Sequence, residues 1–171
     1  IADDLVTFVQ NDLTTFSLGV FAFIVFALGF IFRRMRWIFL PLACCAIASV
    51  IVVGILGLMD WRVTVVSSNF MSLLLITTIS LTVHLIVRYR QLRATRRFSE
   101  HGKLLRHAVL SMWKPCLYTA LTTIVAFASL LVSGISPIIS FGWIMVIGVL
   151  TALLVVFTLF PALMALFSKD E

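Results

Sequence analysis

RYRQLRATRRFSEHGKLLRHAVLSMWK, residues 88–114, is the stretch that orients the whole chain. Eight of the 13 Lys and Arg residues lie in it: Arg88, Arg90, Arg93, Arg96, Arg97, Lys103, Arg106 and Lys114. Long apolar runs flank it on both sides. Two connectors upstream, Arg33, Arg34 and Arg36 form a second basic group, and Lys169 follows the last apolar run. Only Arg62 falls in an intervening connector. Basic residues collected in alternate connectors mark the cytoplasmic side of a polytopic membrane protein. The expected fold is therefore all-α: a membrane helix bundle of five transmembrane helices plus one short cytoplasmic amphipathic helix.

Composition agrees. The 171 residues are 62% hydrophobic and 12% charged, with a mean hydropathy of +1.17. Soluble domains are about half apolar and about a quarter charged, so the bulk solvent here is lipid. A net charge of +6 does not indicate nucleic acid. The cations flank apolar spans, where they meet anionic headgroups, and no aromatic–basic motif of the nucleic-acid class occurs. Cys44, Cys45 and Cys116 lack the paired spacing of a metal site and read as small packing residues. No metal or cofactor is expected. Residues 1–13 are acidic and polar, with Asp3, Asp4 and Asp12, unlike a signal peptide. They read as a lead-in within a longer polypeptide.

A crossing helix needs about 20 mainly apolar residues. Spans are expected at about 14–32, 37–59, 68–87, 115–132 and 139–167. The amino terminus is expected outside the cytoplasm, and the tail at 168–171 inside. Trp37 suits the interface. Ser67, Ser68 and Asn69 are placed to cap the third span through a side-chain oxygen. Its inner end meets no breaker and should run on into water. In the connector 88–114, Leu104, Leu105, Ala108, Val109 and Met112 recur at helical spacing, interrupted by Lys103, Arg106 and His107. This predicts an amphipathic helix at about 100–112 lying on the cytoplasmic membrane surface. Pro115 is expected in the first turn of the fourth span. Residues 133–137 should form a tight outer turn, and Pro161 should kink or end the last span.

Polar residues within lipid mark candidate function, because no water satisfies them there. In the third span Thr77, Ser80 and His84 lie within about 60° of one another on a helix. His84 is the ionisable side chain that lies well inside a span. It reads either as a proton carrier, since imidazole titrates near neutral pH, or as a neutral residue tying two helices together. No carboxylate within any span would accompany the first role. The fourth span places Thr119, Thr122, Thr123, Ala126, Ser129 and Ser133 along one side, suited to close packing or to a polar conduit. Cys44 with Ala48, Cys45 with Ser49, and Gly148 with Ala152 are small pairs assigned to packing. No enzyme is expected: Ser133 lacks a glycine-flanked elbow, and phosphate-loop, zinc-protease and dinucleotide signatures are absent.

Residues 81–91, LTVHLIVRYRQ, resemble the segment of MMPL-type transporters of the resistance-nodulation-division (RND) superfamily that reads roughly G-x-D-Y-x-I-H-L-x-x-R-Y-R-E. Further on, TALTT, then S-x-I-x-P-I-x-x-F-G, then LFPAL occur in that family's order and spacing. The resemblance covers about residues 67–167. It implies one half of an exporter of lipids or other hydrophobic molecules in a bacterial inner membrane, driven by the proton-motive force. The five spans correspond to the unit also found as a sterol-sensing domain, which makes a lipid-sensing or partner-binding module the alternative. Expected partners are membrane lipids, hydrophobic cargo, and the other half and extracytoplasmic domains of the same polypeptide. The resemblance leaves the cargo open, and oligomeric state with it, since monomers, dimers and trimers all occur among relatives. Aligning His84 with the family's His places Ser80 and Leu81 where an Asp-Tyr pair usually couples protons, and neither titrates near neutral pH. The coupling acid is then expected in the other half, the alternatives being that His84 substitutes for it or that the protein is not proton-driven. Ser80, Thr82 and His84, facing Thr119, Thr122 and Thr123, are the expected energy-transmission zone.

Overall fold

The computed structural model describes residues 35–59, 69–95 and 101–167, with scattered positions between 15 and 29. Among the described residues every regular element is helical. They are α1 (Met35–Leu58), α2 (Phe70–Ala94), α3 (His101–Ala128) continued by a 3-10 turn (Ser129–Val132), and α4 (Ser136–Phe167). All four helices are long and apolar enough to cross a membrane. The expected first span, 14–32, falls largely outside the described residues; its scattered described positions are helical. The lead-in at 1–13, Arg62, Ser67, Ser68 and the tail at 168–171 also lie outside them.

The packing is a four-helix rhombus. α4 and α2 each touch all the other helices, while α1 and α3 occupy opposite corners. Burial follows from this: 56% of the apolar window of α4 is inside the bundle, against 11% for α3. Lipid supplies no hydrophobic drive between helices, so close approach through small residues must hold them. α1 presents Cys44, Ala48, Val52 and Leu56 as one buried row. α4 presents Gly148 and Ala152, both buried. A Cβ at Gly148 would stand 3.3 Å from Leu74 Cδ1 on α2. The small pairs therefore sit at helix contacts, as the sequence suggested.

Alternation makes α2 antiparallel to α3 and parallel to α4. At one end of the bundle the ring centroids of Trp37 and Tyr89 are 5.8 Å apart. Trp113 meets Phe157 edge-on at 4.9 Å. The start of α1, the end of α2 and the middle of α3 thus share one level, and α4 passes through it near Phe157. At the other end Gly134 takes φ +73 in the turn between the 3-10 segment and α4. Gly142 then lies so close to α3 that a Cβ would meet the Phe127 carbonyl oxygen at 2.9 Å. Phe127 and Phe141 lock the same corner edge-on at 5.8 Å.

Three expectations need correction. First, the amphipathic stretch at 100–112 and the span at 115–132 form one helix running through Pro115. The apolar face of the amphipathic stretch, Leu104, Leu105 and Ala108, is buried in protein, so it does not lie on the membrane surface. It extends the span and packs within the bundle. A proline in a membrane helix forfeits one backbone bond, and neighbouring helices make this tolerable. Second, Pro115, expected in a first turn, lies in the middle of α3; of the two outcomes expected at Pro161 the helix end is excluded, since α4 continues to Phe167, and Pro41 is likewise interior to α1. Third, Asn69 precedes α2 without a side-chain cap bond. Its φ of −74 and ψ of −2 are already helical, whereas a capping side chain needs an extended backbone to reach back over the free amides.

Candidate functional site

α2 and α3 are tied at the basic end by Arg88, whose Nε donates to Ser111 Oγ at 3.2 Å. Ser111 Oγ in turn donates to the Ala108 carbonyl at 2.9 Å. This contact sets the register of the antiparallel pair. Moving away from it turn by turn, His84 comes level with Pro115, Ser80 with Thr119, and Thr77 with Thr122. Two polar rows found separately in the sequence therefore run side by side at matching depth.

They do not close on each other. Leu104, Ala108, Ser111, Pro115, Thr119, Thr122 and Ala126 share one side of α3, within about 80°. Leu104 and Ala108 are buried and Ser111 half-buried, yet Pro115, Thr119, Thr122 and Ala126 are all exposed. The side of α3 that packs at its start thus stands open beyond Pro115. On α2, Ser80 and His84 are exposed and Thr77 is half-buried. The result is two exposed polar rows on neighbouring helices, both running away from the Arg88–Ser111 contact.

The threonine hydroxyls along these rows are already engaged. Thr77 donates to the Leu73 carbonyl at 2.8 Å, Thr119 to Pro115 at 3.0 Å, and Thr122 and Thr123 both to Thr119, at 2.9 and 2.8 Å. Bonding to carbonyls three or four residues back lets Ser and Thr sit in lipid without a cross-helix partner. The rims therefore present mostly methyl groups and closed hydroxyls, with the His84 imidazole near the basic end.

Thr82 and Thr123 depart from this arrangement. Thr82 is fully buried on the far side of α2, where it donates to the Thr78 carbonyl at 2.8 Å and lies within hydrogen-bonding reach of Cys44 on α1. Thr123 is half-buried. The structure thus aligns Ser80 and His84 with Thr119 and Thr122 as two rims, and sets Thr82 behind one of them. The Arg88–Ser111 link was missed in the sequence. Its signal was Ser111, a lone hydroxyl among Leu104, Ala108 and Met112.

Among the described residues, no group of three or more His, Cys, Asp or Glu side chains could hold a metal ion. Cys44, Cys45 and Cys116 are free and buried.

The profile of the MMPL family matches residues 1–171. A Methanocaldococcus jannaschii protein, MJ1562, named only as a membrane protein, is 27% identical over 164 residues. That match takes in 96% of this chain and 41% of the relative, so the chain spans about two-fifths of the relative's length. No solved structure matches the chain.

Proposed function

The chain belongs to the MMPL family, and from that premise we propose that it is part of the transmembrane machinery of an RND-type exporter of lipids or other hydrophobic molecules. The observation that carries this reading is the pair of exposed polar rows on α2 and α3. The threonine hydroxyls close on their own helix and tolerate lipid, but the His84 imidazole exposed beside them is ill suited to face lipid alone. It suits a surface that moves against further protein of the same polypeptide. In this reading residues 14–32 supply a fifth span, the rest of the polypeptide adds a second half and extracytoplasmic domains, and the Arg88–Ser111 end faces the cytoplasm. The membrane is the inner membrane of a bacterium.

Proton-motive force drives the exporter, with the coupling acid supplied by the other half. Ser80 stands where a carboxylate would be required, and the described spans hold no Asp or Glu. Ser80 and His84 with Thr119 and Thr122 transmit the movement; Thr82 and Thr123 support the helices behind them. The missing carboxylate also favours a second reading, a lipid-sensing or partner-binding module without transport. The test is cargo movement by the full-length protein in proteoliposomes with a labelled lipid panel. Movement that requires an imposed pH gradient supports export, while saturable lipid binding with no such movement supports sensing. Within an exporter, His84→Ala is expected to leave the pH profile of transport unmoved. A shifted profile would make His84 the coupling group.

A further inference from the structure

Among the described residues there is no Asp or Glu, yet basic side chains gather at one end of α2 and α3. Two of them lie on neighbouring helices within about one turn of each other in depth. Arg88 is half-buried on α2, and its Nε bond to Ser111 fixes the guanidinium against α3. Lys114 follows Ser111 by three residues, about one turn, and Tyr118 by seven, so the three share one side of α3. Lys114 and Tyr118 are both exposed.

Depth decides what these cations meet. From Lys114 to the turn at Ser133 is about 28 Å of helix, and from Asn69 to Arg88 the length is about the same. A bilayer's hydrocarbon core is about 30 Å thick. Both cations therefore stand at one edge of the hydrocarbon, at the level of lipid phosphates. Trp113, seated against Phe157, marks the same interface. Lys103 and Arg106 lie about two to three turns further out along α3, beyond that level.

The geometry points to a binding site for the phosphate headgroup of an anionic membrane lipid between α2 and α3. Arg88 and Lys114 supply the charge, Ser111 orients the guanidinium, and Tyr118 lies toward the acyl chains. Charge complementarity selects this occupant: a basic notch between helices at headgroup depth is suited to an anionic lipid, and a guanidinium fork matches phosphate geometry. The site does not depend on the export reading, because it would hold a lipid whether or not cargo moves.

The test is titration of the purified full-length protein in detergent with phosphatidylglycerol or phosphatidylcholine. Saturable binding is expected, at least about tenfold tighter for phosphatidylglycerol. The double variant Arg88→Gln/Lys114→Gln should lose about tenfold or more of that affinity. Lys103→Gln/Arg106→Gln, which removes the same charge further from the headgroups, should lose less than about twofold. Lys114→Gln alone removes an exposed side chain and keeps the Arg88–Ser111 link, so a loss of about threefold or more there reports binding rather than folding. Equal loss in both double variants would overturn the site in favour of diffuse charge. So would no loss in Lys114→Gln, or displacement of phosphatidylglycerol by inorganic phosphate at similar concentration.

Discussion

Gly142 and Gly54 show how differently one residue type can act in a membrane helix. At Gly142 an added methyl would run into the Phe127 backbone carbonyl, which cannot swing aside as a side chain could. Gly142→Ala is expected to destabilise the protein by about 1–3 kcal/mol through overpacking. At Gly54 on α1 a Cβ meets nothing within 4 Å, so Gly54→Ala should gain up to about 1 kcal/mol from helix propensity. Thermal unfolding of the full-length protein in detergent reads both, and a lower midpoint for Gly54→Ala would show that another segment covers that face. Thr82 teaches a related lesson. Two residues on from Ser80, it stands about 200° around the helix, so periodicity alone could have separated it from Ser80 and His84. Its hydroxyl bonds to its own helix. Thr82→Val should therefore cost about 1 kcal/mol or less and keep cargo transport within about twofold of the parent. A tenfold loss at unchanged stability would return Thr82 to the transmitting set.

Helices were legible in the sequence wherever about 20 apolar residues ran together, because a crossing segment must satisfy its backbone internally. What those helices pack against was not. Leu104, Leu105 and Ala108 form the same apolar stripe whether it faces acyl chains or protein, and only the fold decides that it faces protein. Pro115 misled for a similar reason. In water an interior proline is a strong reason to end a helix, whereas here Pro41, Pro115 and Pro161 are all carried inside helices. They withdraw the backbone donor normally offered to the carbonyls of Trp37, Ser111 and Phe157, the residues that share the basic-end level. Three helices can thus bend at one depth. Pro115→Ala restores a donor to the Ser111 carbonyl and should stabilise α3 by up to about 3 kcal/mol. It should also draw the open part of α3 toward α2. Spin labels at Ser80→Cys and Thr122→Cys would report a shorter distance in the Pro115→Ala background, with slower cargo movement. An unchanged distance would place the cause of the exposure of α3 beyond Pro115 elsewhere.

At the scale of the molecule, α2 and α4 form the packed centre, and α3 is held along one side, where Cys116 and Ala120 are buried, while its other side stands exposed beyond Pro115. The Arg88–Ser111 contact and the Trp113–Phe157 pair hold its middle; Gly142 and the Phe127–Phe141 pair fix its finish. An element packed along one side and open along the other can move against further protein without the bundle coming apart. That is what a transmitting helix in an exporter needs, and it is the central claim. The most direct measurement is the rate of labelled-lipid movement by the full-length protein in proteoliposomes, first with a pH gradient imposed and then with it collapsed by an ionophore. The account expects movement under the gradient that falls to the protein-free background on collapse. Lipid that binds saturably but never moves, or moves equally with and without the gradient, would contradict it.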